Sequence, residues 1–287
     1  MSTGDGSARH RLHVATVTIA HGRHRHLERQ QEGLLVGDRV PDTRVVVAMA
    51  DPVIADLVDP RTVVVEHDAD PARLPLAAAR NLGLDRAFRA GADVAVVLDV
   101  DVVPGRSLVG GYVDAHGHDA DRVWSGPVTY LPPGVEDHRP EALERHDAPH
   151  PARPAPAPGT LLPATDPALF WSLSFSVGRE TWSRGVRFDE RFTGYGGEDT
   201  DFAFRLERAG VGLGWAGSAR GFHQWHPTQD PPVQHLADIL RNGRLFAATW
   251  GRWPMTGWLE AFADLGLVRR TAAGDWQPLT APTPTPS

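Results

Sequence analysis

Asp93-Val94-Ala95-Val96-Val97-Leu98-Asp99-Val100-Asp101-Val102-Val103-Pro104 is the stretch that decides the fold. The apolar run at 93–98 has the length and β-branched content of a strand buried on both faces. Two carboxylates one residue apart follow it at once. Working outward, residues 13–20, 43–50 and 62–66 repeat the same short β-branched pattern, and helical patterns cover about 25–35 and 76–90. Such strands alternating with helices imply an α/β fold, a mainly parallel sheet flanked by helices. Ligands of these sheets bind beyond the carboxyl ends of the strands, where Asp51 and Asp99 both fall.

Composition fits a folded core and narrows the chemistry. Of the 287 residues, 41% are hydrophobic and 23% charged. The net charge of −7 and the lack of a basic stripe argue against nucleic-acid binding. With no cysteine there is no disulfide, thiolate metal site or cysteine nucleophile, and fourteen histidines make imidazole the expected nitrogen ligand for a metal. No signal-peptide core and no membrane-length apolar run are read. The expectation is a cytoplasmic protein without a transmembrane segment, peripheral at most at the inner membrane face.

Further along, residues 131–159 are rich in proline and read as an extended, weakly packed loop, a lid and a mere surface insertion being equally good accounts. Order returns over 170–226, with a strand at 211–215. Two amphipathic helices are expected at 233–250 (Leu236, Ile239, Leu240 and Phe246 inward) and near 256–265 (Trp258, Leu259, Phe262 and Leu265 inward). The domain plan is thus 11–229, comprising 11–105 and 160–229 as two halves, then a C-terminal helical extension at 230–275. Disordered tails are expected at 1–10 and 277–287.

Three constellations carry chemistry. Asp99 and Asp101 emerge from a fixed base and suit a hard divalent cation, Mn²⁺ or Mg²⁺, whose remaining positions phosphate oxygens can take. A lone Asp-x-Asp occurs often by chance, so its company matters. The run Gly194-Tyr195-Gly196-Gly197-Glu198-Asp199-Thr200-Asp201 places carboxylates at a helix N-terminus, where the dipole favours their charged form and a general base is at home. Its bland account is N-capping by Asp199 or Thr200. The third is His223 and His226, a pair able to complete a coordination sphere begun by Asp101. His21, His24 and His26 are assigned instead to a solvated loop and helix start, and Trp250, Trp253 and Trp258 to C-terminal packing.

Asp51, Ala79-Arg80-Asn81-Leu82-Gly83, Asp99-Val100-Asp101, Phe192-Thr193-Gly194-Tyr195-Gly196-Gly197-Glu198-Asp199 and His223/His226, taken in order over about 13–227, resemble a GT-A glycosyltransferase. The likeness is to the family-2 type, with a second half similar to the C-terminal region of β-1,4-galactosyltransferases. The resemblance implies a Rossmann-like nucleotide-diphospho-sugar transferase fold and a UDP-sugar donor. Asp51 would bind the base, Arg80 would reach toward the nucleotide, and Asp99 would contact the ribose or, through water, the metal. Asp101 would ligate the metal directly, with His223 or His226 as its nitrogen partner. Tyr195, where the galactosyltransferase motif has Trp, would stack on a sugar. Gly197 and Glu198 would meet the acceptor, a glycan, lipid-linked or small-molecule hydroxyl, and Asp199 would be the base of an inverting transfer.

Two other classes compete. A metal-dependent sugar nucleotidyltransferase also sets paired carboxylates above a parallel sheet, but would want a phosphate-cradling glycine-rich loop after the first strand, and Ala20-His21-Gly22-Arg23-His24 is short of glycine. A non-catalytic glycan or nucleotide-sugar binding module would not need the full acidic set.

Overall fold

The computed structural model describes residues 11–279, and the tails expected to be disordered lie outside that range except for 277–279. In chain order the elements are β1 (Val14–Ala20), α1 (His24–Val36), β2 (Thr43–Met49), α2 (Ile54–Leu57), β3 (Val63–His67), α3 (Leu76–Arg89), β4 (Val94–Asp99), β5 (Val102–Pro104) and α4 (Leu108–His118). They continue with β6 (Val123–Ser125), β7 (Val128–Tyr130), α5 (Pro140–Leu143), β8 (Leu161–Pro163), β9 (Ser174–Gly178), α6 (Arg179–Ser183), α7 (Glu198–Arg208), β10 (Leu213–Ala216) and β11 (Gly221–His223). The chain closes with α8 (Leu236–Trp250), α9 (Thr256–Asp264), β12 (Val268–Arg270) and β13 (Trp276–Pro278).

The main sheet runs β3-β2-β1-β4-β9-β6-β10-β8. β1 pairs in parallel with β2 and β4, β2 pairs in parallel with β3, and β9 and β8 run against their neighbours. The pleat of β4 explains why its run is apolar throughout. Ala95 and Val97 join a core with Leu84, Phe88, Phe202 and Leu206 on the α3/α7 side, while Val96 and Leu98 join Leu34, Leu108 and Tyr112 on the α1/α4 side. Alternate side chains feed opposite cores, so neither face tolerates polarity. Gly83 lets α3 approach closely, because a Cβ there would sit 2.5 Å from Val17 Cγ1.

A second, three-stranded sheet, β5-β11-β7, positions the site. Its register sets His223 opposite Val102 on one side and Tyr130 on the other. Asp101 immediately precedes β5, so three distant segments meet edge to edge.

Some expectations need correction. The proline-rich segment is mostly exposed, as expected, but it is anchored at points: Leu131 and Leu143 join Val103 and Phe222 in a small core, and Arg153 is only 6% exposed. Proline there fixes extended backbone without preventing burial of the intervening apolar side chains. Leu265, expected inward, is 56% exposed because α9 ends at Asp264. The stretch expected to be disordered from 277 begins inside a hairpin, Arg269 pairing with Gln277 and Val268 with Pro278.

Candidate active site

The Asp99–Val102 turn is held by buried amides. Gln30 on α1 is fully buried; its Nε2 donates to the Asp99 carbonyl at 2.6 Å and the Val102 carbonyl at 3.0 Å, and its Oε1 accepts from the Thr18 hydroxyl at 2.7 Å. Gln224 completes the frame, its backbone N–H donating to the Asp101 carbonyl at 2.7 Å. These bonds reach the backbone carbonyls of the turn and leave both carboxylates to other partners.

Asp101 is 8% exposed, and its oxygens stand 3.4 Å from His223 Nε2 and 3.5 Å from His226 Nε2. One ligand atom from each of the three lies within 4.8 Å of the others, a spread that a single ion can bridge. Burial alone would raise the Asp101 carboxyl, but His226, His223 and Arg23 outweigh it and hold it at about 2. Burial lowers the His223 imidazole from its ordinary value, against the pull of Asp101, and so favours the neutral form that can ligate a metal. Arg23 Nη1 also donates to Asp101 Oδ2, at 2.9 Å.

Asp99 takes another partner. Its Oδ1 accepts from Arg80 Nη2 at 3.0 Å, and Arg80 Nη1 donates to Glu198 Oε1 at 2.9 Å. Burial pulls the Arg80 guanidinium down, but the two carboxylates outweigh it and hold it firmly charged. The Asp99-Val100-Asp101 triplet is therefore divided: Asp101 belongs to the three-residue cluster, whereas Asp99 faces the guanidinium. Arg80 itself is buried between carboxylates.

The Ala79-Arg80-Asn81-Leu82-Gly83 segment works on three sides at once. Arg80 bridges carboxylates, Gly83 seats the helix on β1, and Asn81 clamps the next loop. Asn81 Nδ2 donates to the Phe188 carbonyl and its Oδ1 accepts from the Phe188 N–H, both at 3.0 Å.

At the other motif, α7 starts at Glu198 with Gly197 as N-cap at φ 92°, and no side chain caps it. The expected capping by Asp199 or Thr200 does not occur. The glycine conformation ends the loop one residue earlier, so both carboxylates enter the first turn, and Asp199 Oδ1 accepts from the Thr200 N–H at 2.7 Å. Glu198 is buried on Arg80, while Asp199 keeps some solvent contact. Burial, then the charge of Glu198, push the Asp199 carboxyl up to about 7 although Arg80 pulls it down. Asp201, expected to be part of this acidic cluster, is fully buried between Arg205 Nε at 2.5 Å and Trp250 Nε1 at 2.8 Å. Tyr195 stacks on His235 with centroids 4.3 Å apart, so one ring face is already covered.

Asp51 accepts from the Gly22 N–H at 2.7 Å and pairs with His24 Nε2 at 2.8 Å. Burial would raise its carboxyl, but these partners lower it on balance. The loop after β1, assigned to solvent, in fact rims the site through Arg23 and His24. Sequence reading also passed over Gln30, Tyr130 and Arg153. Tyr130 stacks on His223 at 4.5 Å, and Arg153 lies over Trp171 and Trp215 at 5.3 and 4.9 Å. Nothing local marks these residues, because each acquires its role only through contacts with segments distant in the chain.

No protein-family profile and no curated protein matches the sequence. Solved structures do. A crystal structure of GalNAc-T7 with UDP, GalNAc and Mn²⁺ superposes with TM-score 0.54 at 13% identity, over 89% of this chain and 57% of that one. S. aureus TarS 1–349 superposes with TM-score 0.53 at 12% identity, over 82% and 64%. The chain thus spans less than two thirds of either structure. The shared architecture is the GT-A fold, the large mixed sheet flanked by helices described above.

Proposed function

We propose that the chain is a metal-dependent glycosyltransferase that moves a sugar from a nucleotide-diphosphate sugar, a UDP-sugar, to an acceptor hydroxyl. The observation that carries this reading is the meeting of two groups at the carboxyl end of β4: the Asp101–His223–His226 cluster and the Arg80–Glu198 pair beside Asp199. The bound UDP, GalNAc and Mn²⁺ of the GalNAc-T7 structure support it on a shared fold.

Asp101, His223 and His226 would hold the metal. One carboxylate and two imidazoles favour Mn²⁺ over Mg²⁺, which prefers an all-oxygen shell. When bound, the ion supplies charge to stabilise a leaving diphosphate. Asp51 and the Arg23 loop suit the nucleoside side, and Asp99, fixed by Arg80, suits the ribose. Glu198 is held by the same guanidinium and orients acceptor hydroxyls. Asp199, raised toward neutrality and still reached by solvent, accepts the proton of the attacking hydroxyl. A base separate from the metal ligands supports direct inverting displacement. The glycine run that feeds α7 supports a second half built on the β-1,4-galactosyltransferase plan.

The test is a panel of UDP- and GDP-sugars with and without Mn²⁺, followed by thermal shift and donor hydrolysis. A Mn²⁺-dependent response to a UDP-sugar is expected, and NMR of the product anomer reports the stereochemistry. Pyrophosphate release from a nucleoside triphosphate and a sugar phosphate would instead make the chain a nucleotidyltransferase.

A further inference from the structure

A cavity of about 1090 Å³ opens between α7 and the C-terminal elements, and none of Asp99, Asp101, His223 and His226 lines it. We propose that this cleft binds a neutral oligosaccharide, the chain whose terminal hydroxyl is glycosylated at Asp199; the inference rests on the glycosyltransferase reading.

Electrostatics selects the class. Asp166, Glu260 and Asp275 are matched by Arg244, Arg252 and Arg270, so the lining carries no net formal charge and has no pull on a polyanion. It is nonetheless dense in hydrogen-bonding groups, which hydroxyl-rich ligands require. Trp171 and Trp253 line the same space and are each only partly buried. Indole faces are negative at the centre and accept the weakly positive C–H face of a pyranose ring. The volume exceeds the roughly 300–1,000 Å³ typical of small-molecule sites, which favours several sugar units over one.

Three features join the cleft to the candidate site. Met255 lines it with a left-handed backbone, φ 53° and ψ 36°, a conformation costly for a side-chain-bearing residue and typical of functional sites. Its Sδ packs so closely on Gly196 that a Cβ there would sit 2.8 Å away, and Gly196-Gly197 is the backbone that presents Glu198 and Asp199. On the other side a series of ring contacts runs from the metal cluster to the cleft wall. His223 stacks on Tyr130 at 4.5 Å, Tyr130 meets His150 at 5.4 Å, and His150 meets Trp171 at 5.3 Å. Thr200, next to Asp199, also lines the cavity.

The experiment is saturation-transfer NMR on the full chain with neutral malto-, cello-, manno-, xylo-, galacto- and chito-oligosaccharides of three to six units, without metal or nucleotide. At least one series should bind. Trp253→Ala should weaken it tenfold or more with Mn²⁺–UDP affinity unchanged within about twofold. Because that variant can perturb packing, Ala248→Trp, which fills the cleft from an exposed helical position, should block the sugar equally. Asp101→Ala should lose Mn²⁺–UDP and keep the sugar. Mn²⁺–UDP binding with no oligosaccharide bound at millimolar concentration overturns the cleft assignment alone. Oligosaccharide binding with no nucleotide bound overturns the transferase reading and leaves a glycan site.

Discussion

Arg80 Nη1 and Glu198 Oε1 meet at 2.9 Å across 118 residues of chain, and the same guanidinium holds Asp99. This one side chain locks the strand that ends at Asp99 to the helix that begins at Glu198.

Removing it should leave two carboxylates facing each other without a cation. Arg80→Met is expected to destabilise the fold by about 3 kcal/mol, the usual cost of orphaning a buried charge. Arg80→Met with Glu198→Leu should recover part of the stability and none of the transfer activity. Urea denaturation of the three proteins reads this directly, and a double variant no more stable than the single one would count against the pairing.

Metal dependence should appear as stability as well as rate. At a Mn²⁺ concentration about 100 times its dissociation constant, the wild-type chain should gain about 2.7 kcal/mol. Asp101→Asn, His223→Ala and His226→Ala should each weaken Mn²⁺ binding by about a hundredfold or more, measured by calorimetry. Unchanged affinity in either histidine variant would remove that residue from the cluster.

Asp199 ties function to a stability cost with a definite pH sign. Its folded pKa, about 7, lies above the unfolded value of about 3.9. The folded state therefore holds a proton that the unfolded state has released, and this contribution is full below about pH 4 and lost as pH rises through about 7. Asp199→Asn should thus be more stable than wild type at pH 8, by roughly 1–3 kcal/mol, and equal to it near pH 4. The same substitution should lower transfer about 100- to 10,000-fold, and wild-type activity should fall about tenfold per pH unit below about 7.

Gln30 tests whether the metal turn is prebuilt. Gln30→Leu conserves volume but leaves the Asp99 and Val102 carbonyls and the Thr18 hydroxyl without their buried partner. A loss of about 2–4 kcal/mol is expected, along with weaker Mn²⁺ binding at a site the side chain never touches. Equal loss of stability with wild-type Mn²⁺ affinity would show that the turn holds its shape without Gln30.

The sequence by itself determined the parallel half of the sheet, because doubly buried strands such as 93–98 must be apolar throughout and any polar slip would face one of two cores. It also determined which motifs carry carboxylates, since glycines in close succession before Glu198-Asp199 have a local conformational cause. Tertiary structure alone decided how those carboxylates are shared. Adjacent-looking Asp99 and Asp101 separate because a guanidinium from α3 claims one, and a strand pairing His223 with Val102 brings imidazoles to the other. Arg23, Gln30 and Tyr130 stayed invisible for the same reason. Their chemistry is ordinary, and only long-range pairing, which leaves no periodicity in the chain, gives it an object.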